Sequence, residues 1–317
     1  MDPAERVVGC ALGAALGDAL GAPFEFLRAN NVPSPIPALE RPWMDQPPGS
    51  TTDDTAMARN LMRSLAERGG LDPDDLVRRH IEWLGSDPPD VGSLTGRVLR
   101  RVARRGGRGP GLGEVARAEA RAVWEERGPE VSAGNGSVMY CAPLGLAYAH
   151  RPAELATLAP LLSSLTHHDG RCRTAVLAVT QAVAALVRGE PAERAAQDAL
   201  RSVEDLEGGE ELEFLVEAAG RSRPVDGPDQ GFCLFAAGLA FRTLLDGGDA
   251  EAELRRIVAL GGDTDTNAAV AGALLGARDG VDGLPTEWIG RVLGADAIRA
   301  EAEALVPLAV TRRASGR

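Results

Sequence analysis

Gly9, Gly13, Gly17 and Gly21 recur at every fourth position of an otherwise apolar run, and residues 7–20 of that run carry helical periodicity. In an α-helix, residues four apart lie one above the other, so these glycines form a bare strip down one face. Each glycine in a helix interior costs about 0.8–1 kcal/mol relative to alanine. A chain that accepts this cost at four successive turns must use the strip, and the use open to it is close approach of a second backbone. The same spacing serves membrane helix dimers, but Asp18 lies inside this run and weighs against a lipid surrounding. Some other helix must therefore lie flush against residues 9–21. Pro23 stops the helix and leaves Glu25 just past its end.

The rest of the chain reads as further helices. Thr51 or Thr52 can cap a helix over 53–68 that Gly69-Gly70 closes. Pro73 suits the first position of a helix running to Leu84. Beyond Asn135, helical patterns cover 136–150, 153–165, 171–188, 192–206, 210–220, 231–245, 250–260, 266–277 and 286–293, with Pro, Gly and Asp at most joins. Period-two, β-branched segments are almost absent, so the fold class is all-α. Aromatics are only 4% of the residues, which leaves close helix-on-helix packing to Ala, Leu, Val and Gly. Two segments stand out. Residues 30–50 form a Pro-rich loop, and residues 97–113 are arginine-rich and then glycine-rich. The first is long enough for a functional loop that covers a site and sets specificity. The second reads as a solvated helix face followed by a flexible loop, because no aromatics interleave its arginines.

Charge and cysteines narrow the function classes. The formal net charge is -12, which disfavours a nucleic-acid partner. Every basic side chain is arginine, so Schiff-base chemistry on a lysine is excluded. Cys10, Cys141, Cys172 and Cys233 stand far apart, without zinc spacing, and read as small buried apolar residues in a reducing cytoplasm. The N-terminus lacks the basic-then-apolar order of a signal peptide. The longest apolar stretch, 175–187, is too short to span a membrane, so no membrane partner is expected.

Two acidic clusters carry the chemistry. Ser50-Thr51-Thr52-Asp53-Asp54-Thr55 stands at one helix start, and Gly261-Gly262-Asp263-Thr264-Asp265-Thr266-Asn267 precedes another, which Thr266 or Asn267 can cap. In an extended stretch, Asp263 and Asp265 project to the same side. One carboxylate at a helix start is an ordinary cap. Two adjacent acids after a Thr pair, matched by a second such cluster, favour a cation, since close carboxylates repel unless something neutralises them. The donor set is all oxygen, which suits Mg²⁺ or Mn²⁺, and it holds more carboxylates than one such ion uses, which points to a two-metal site.

The chain resembles the ADP-ribosylglycohydrolases. The resemblance rests on Leu16-Gly17-Asp18-Ala19-Leu20-Gly21 with Glu25, Thr52-Asp53-Asp54-Thr55, Gly134-Asn135-Gly136-Ser137-Val138-Met139, Leu165-Thr166-His167 and Gly261-Gly262-Asp263-Thr264-Asp265-Thr266, in the family's order. It implies a single-domain orthogonal multi-helix bundle over 1–317, of which roughly the last ten residues are expected to form a flexible tail. It also implies a binuclear Mg²⁺ or Mn²⁺ centre with Thr52, Asp53, Asp54, Asp263, Asp265 and Thr266 as ligands, Asp265 bridging. Glu25 and Asp54 become the catalytic acids that orient water or handle its proton. Asn135, Gly136, Ser137, His167 and Phe232 become substrate-binding, with Phe232 placed to stack on adenine. Some bacterial members carry a further acidic residue shortly before the Gly-Asn-Gly turn, where this chain has Glu130. The implied reaction is release of ADP-ribose from an acceptor, with ADP-ribosyl-arginine on protein first. Serine-linked or O-acetyl-ADP-ribose, or non-catalytic binding of ADP-ribose, are the alternatives.

Overall fold

The computed structural model describes residues 1–106, 109–218 and 223–311. The helices in chain order are α1 (Pro3–Gly21), α2 (Asp53–Arg68), α3 (Pro73–Leu84), α4 (Ser93–Arg104), α5 (Leu112–Arg127), α6 (Ala142–Ala147), α7 (Pro152–Ser164) and α8 (Gly170–Val187). They continue with α9 (Ala192–Arg201), α10 (Gly209–Ala218), α11 (Cys233–Asp246), α12 (Ala250–Val258), α13 (Thr264–Asp279), α14 (Thr286–Ile289), α15 (Ala295–Glu303) and α16 (Val306–Val310). Among the described residues the sheet is one antiparallel pair, β1 (Leu27–Arg28) and β2 (Gly261–Gly262), with Leu27 opposite Gly262. The expected all-α fold is what the chain adopts. Of the ten-residue C-terminal tail expected, the first residues are instead in α16, which runs to Val310, and 312–317 lie outside the described residues, as do 107–108 in the arginine-rich segment and the end of the helix expected over 210–220.

The glycine strip of α1 meets α13. A Cβ on Gly17 would stand 2.0 Å from the Ala268 carbonyl oxygen, on Gly13 2.2 Å from that of Gly272, and on Gly9 2.4 Å from that of Gly276. The helices run antiparallel, and α13 answers with its own strip of Ala268, Gly272 and Gly276, whose fourfold spacing mirrors that of α1. Backbones this close leave no room for side chains between them. The register also brings the C-terminal end of α1 onto the N-terminal end of α13, where the Thr264 hydroxyl donates to the Gly21 carbonyl at 2.8 Å. This pair sits at the centre of the molecule, with α8, α11, α12 and α15 packed around it. Contrary to the expectation that the longest apolar stretch is too short to span a membrane, both α1 and α8 are long and apolar enough to do so, yet 89% and 83% of their apolar windows are buried inside the protein. All four cysteines are free and buried, as expected.

Three local expectations need correction. The helix expected over 136–150 is broken. Residues 136–140 form turns in which the Asn135 carbonyl accepts from the Val138 and Met139 N–H groups at 2.8 and 3.1 Å. The helix proper, α6, starts only at Ala142 because Pro143 has no N–H to donate back into the preceding turn. The 30–50 loop does not cover the site. It buries Ile36, Leu39 and Trp43, and Arg291 donates to the Ala38 carbonyl at 2.8 Å, which fixes the loop against the C-terminal helices. Finally, α13 starts at Thr264, two residues before the expected position.

Candidate functional site

The ends of α1, α2 and α13 converge. Thr52 caps α2, its hydroxyl accepting the Asp54 N–H at 3.3 Å, and Asp53 and Asp54 occupy the first turn. This start is anchored to α1 by Asp18. The buried Asp18 carboxylate accepts the N–H groups of Thr52 at 3.0 Å and Thr55 at 3.1 Å and the Thr55 hydroxyl at 2.5 Å. Burial raises the Asp18 carboxyl to about 6, and these donors oppose the rise. Asp18 was legible in the sequence only as part of a motif. The signal for its role is a lone acid on an apolar helix, which must find donors once buried.

At the other cluster, Asp263 occupies the N-cap position of α13 and Asp265 its first turn. The two acids share a side through the helix start rather than through extended backbone. Neither Thr266 nor Asn267 caps the helix, since both already lie within it. Asp263 makes no capping bond either, and its Oδ2 accepts from Asn135 Nδ2 at 3.0 Å. Thr266 joins the clusters: its hydroxyl and that of Thr52 both lie 3.3 Å from Asp54 Oδ2. Carboxylate oxygens of Glu25, Asp263 and Asp265 lie within 4.8 Å of one another.

Electrostatics favour a cation at this centre. Asp54 Oδ1 and Asp265 Oδ1 are buried with no hydrogen-bond partner among the described residues. Leaving buried carboxylate oxygens without donors is costly, and a cation is the usual compensation. Burial, reinforced by Asp263, Asp90 and other acids, pushes Glu25 up to about 9. Burial and the neighbouring Asp90 carry Asp53 up to about 7, although the Gly92 N–H donates to it at 3.0 Å. Asp54 and Asp265 are raised well above the ordinary carboxylate range by burial and by the adjacent acids. Among the described residues no arginine lines the cleft. Oxygen donors in this number, without a compensating base, fit hard divalent cations.

The centre forms the floor of a cleft of about 400 Å³. One wall is the Gly134-Asn135-Gly136 turn, held by the Asn135 N–H bonding the Gly231 carbonyl at 2.9 Å. Beside it lies His167, buried and paired through Nδ1 with the Thr166 hydroxyl at 2.9 Å. Burial lowers His167 to about 4, so its ring is neutral near pH 7. A Cβ on Gly136 would stand 2.9 Å from both His167 Cε1 and Thr95 Oγ1, which shows how narrow the cleft is there.

The structure thus brings Glu25, Asp53, Asp54, Asp263, Asp265, Thr266, Asn135, Gly136 and His167 to one cleft, with Thr52 beneath it. Two sequence-selected residues do not line it. Ser137 is buried with its hydroxyl 3.0 Å from that of Ser163, and Phe232 is half-buried with the Arg171 and Arg223 guanidinium groups 5.5 and 5.3 Å from its ring centre. Glu130 is exposed and also off the cleft. The additional acid on the wall is Asp90, from a Pro88-Pro89-Asp90 turn that no motif marked. Thr95, whose buried hydroxyl has no partner among the described residues, and Phe26 were missed as well. Phe26 lies at the lip, 59% exposed, with φ 63 and its N–H bonded to the Gly262 carbonyl at 2.7 Å. A left-handed phenylalanine cannot be read from sequence, where glycine or asparagine would be the signal.

The chain is similar to known proteins along nearly its whole length. The family description ADP-ribosylglycohydrolase matches residues 1–315. The ADP-ribosyl-[dinitrogen reductase] glycohydrolase of Rhodospirillum rubrum is 30% identical over 292 residues, covering 91% of this chain and 90% of that one. The human ADP-ribosylhydrolase ARH3 is 29% identical over 328 residues, covering 89% and 88% respectively. A solved structure described as an ADP-ribosylglycohydrolase-related protein complex superposes with a TM-score of 0.77 at 30% identity, covering 98% of this chain and 99% of that one.

Proposed function

The chain belongs to the ADP-ribosylglycohydrolase family and is a glycosidic-bond hydrolase of ADP-ribose linkages, and from that premise we propose that it releases ADP-ribose from ADP-ribosyl-arginine on protein, using two divalent ions, Mg²⁺ or Mn²⁺. Thr52, Asp53, Asp54, Asp263, Asp265 and Thr266 would hold the ions. The observation that carries this reading is the pair of partnerless buried oxygens, Asp54 Oδ1 and Asp265 Oδ1, beside the close trio of Glu25, Asp263 and Asp265. The chemistry a bound pair supplies is Lewis-acid polarisation of the distal ribose diol and a lowered pKa for water.

The chain's own residues do the rest. Asp18 fixes the start of α2, and Asn135 fixes Asp263, so both clusters are rigid before substrate arrives. Glu25 or Asp54, whose ionised form bound cations would favour against the repulsion of the neighbouring acids, takes a proton from the attacking water at a carboxylate oxygen. The water oxygen bonds the anomeric carbon, the carbon–nitrogen bond breaks, and the proton taken from the water passes from the carboxyl to the departing nitrogen, so that the acceptor leaves as guanidinium. The acceptor assignment is supported by Glu25 and Asp90, acids on the wall beyond the proposed ligand set, which favour a cationic leaving group. The pyrophosphate is repelled by these acids and is best accommodated at the Gly134–Gly136 turn beside neutral His167. The buried free thiols suit a cytoplasmic location.

The test is release of free ADP-ribose from arginine-linked, serine-linked and O-acetyl substrates, each with and without chelator. Fastest release from the arginine linkage, abolished by chelator and restored by Mg²⁺ or Mn²⁺, is expected. Turnover that survives chelator removes the metal part of the reading. Preference for another linkage removes the arginine part.

A further inference from the structure

The arginine-rich segment has no part in the cleft, yet it adjoins it. Helix α4 buries Val98, Leu99 and Val102 and turns Arg97, Arg100 and Arg104 outward. These positions are three and four residues apart, so the guanidinium groups follow one face. They line an open groove of about 420 Å³ together with Arg101. Ser93, at the head of this groove, also lines the cleft, so the two adjoin there. Arg100 lies across Gly96, where a Cβ would meet its Nη2 at 2.6 Å and the cleft residue Val91 at 3.3 Å.

Their partnering differs along the helix. Arg101 is paired with Glu126, and Arg105 with Glu119. Arg97, Arg100 and Arg104 have no ion pair among the described residues, although acids outnumber basic residues 46 to 34. Three unpaired cations on one face of a chain of net charge -12 mark a local reversal of potential. The cleft beside them has the opposite sign, with Glu25 and Asp90 on its wall.

We propose that the Arg97–Arg100–Arg104 face of α4 is a docking surface for an acidic stretch of polypeptide flanking the ADP-ribosylated residue of a protein substrate. This rests on the reading that the substrate is a modified protein. Carboxylates flanking the modified residue are repelled from the cleft rim and attracted to this face, so the two surfaces together orient the substrate. Acidic polypeptide is favoured over nucleic acid because no aromatic residue lines the groove for bases to stack on.

The experiment compares the full chain with an Arg97→Glu/Arg100→Glu/Arg104→Glu variant and a matched triple Arg→Lys variant. Substrates are ADP-ribosylated peptides of equal length with Asp/Glu or with Asn/Gln flanks, and the free ADP-ribosylated amino acid, in whichever linkage the native protein cleaves. The expected result is about a tenfold rise in KM for the charge-reversed variant, confined to the acidic peptide, with loss of the native salt dependence. The lysine variant should behave as native. Equal losses on all three substrates, or none on the acidic peptide, would overturn the proposal. So would an oligonucleotide that displaces the acidic peptide and binds this face more tightly. If the native protein cleaves no linkage, the functional reading has failed instead. Fluorescence anisotropy of the unmodified acidic peptide then decides the docking surface separately, since binding that is lost on charge reversal supports it and no binding overturns it.

Discussion

Replacing Gly17 by alanine tests the link between the glycine strip and the site. The new Cβ would stand 2.0 Å from the Ala268 carbonyl oxygen and 2.3 Å from its carbon, both well inside the 3.0 Å that real Cβ contacts keep. The obstacle is helix backbone, which has no rotamer to escape into, so α1 and α13 must part. A gap of about 0.5–1 Å forfeits a quarter to a half of each dispersion contact across an interface, and overpacking of this kind costs about 1–3 kcal/mol. Alanine returns about 1 kcal/mol through helix propensity. With the clash at its most severe, the net loss should be about 2 kcal/mol, read from the urea midpoint at unchanged m-value. Gly13→Ala should behave alike, and the double variant should lose less than the two losses together, because helices already parted accept the second methyl cheaply. Parting the helices also moves Asp265 away from Glu25, so the rise in melting temperature on adding Mn²⁺ should shrink. Gly85→Ala is the control, with φ -71 and no atom nearer than 3.4 Å. A Gly17→Ala protein as stable as Gly85→Ala would refute the reasoning.

Asp265→Asn should lower kcat by about 10²–10³ or more and abolish the Mn²⁺-induced rise in melting temperature. The metal-free variant should nevertheless melt no lower than the native chain, because a repelled carboxylate has been removed; a large drop in its metal-free melting temperature contradicts that account. In chelator, stability should fall as pH rises. Glu25, raised to about 9, and Asp53, raised to about 7, hold protons in the folded chain that the unfolded chain releases near pH 4. The folded state is therefore progressively disfavoured from about pH 4.5 to 9. Melting temperatures at pH 5.5 and 8.5 check this, saturating divalent ions should flatten the difference, and a rise with pH in chelator rules it out. Phe26→Gly should raise the melting temperature, since relieving a left-handed phenylalanine returns about 1 kcal/mol or more, while raising KM through loss of the phenyl at the lip. If neither quantity moves, Phe26 has no role there.

Much of this was legible because it is local. Helical periodicity, the Thr52 cap, Gly69 in the left-handed conformation at the end of α2 and Pro73 opening α3 follow from the energetics of a few adjacent residues. The acidic clusters were legible for the same reason, as two carboxylates close in sequence can be judged before any fold is known. The glycine strip went further, requiring a close neighbour for α1 without naming it. Only the tertiary structure supplied α13, because both glycine strips are needed to define the register. The tertiary structure also placed Asp18 under Thr52 and Thr55, across 34 and 37 residues, and Asn135 against Asp263, across 128. It also brought Asp90 and Thr95 to the wall without a motif and left Ser137 and Phe232 off the cleft. Caps and periodicity depend on neighbours in sequence, whereas the donors of a buried carboxylate come from whatever packing brings near. The sequence by itself therefore determined the helices and the acids, and the meeting of two glycine strips decided which of those acids share a cleft.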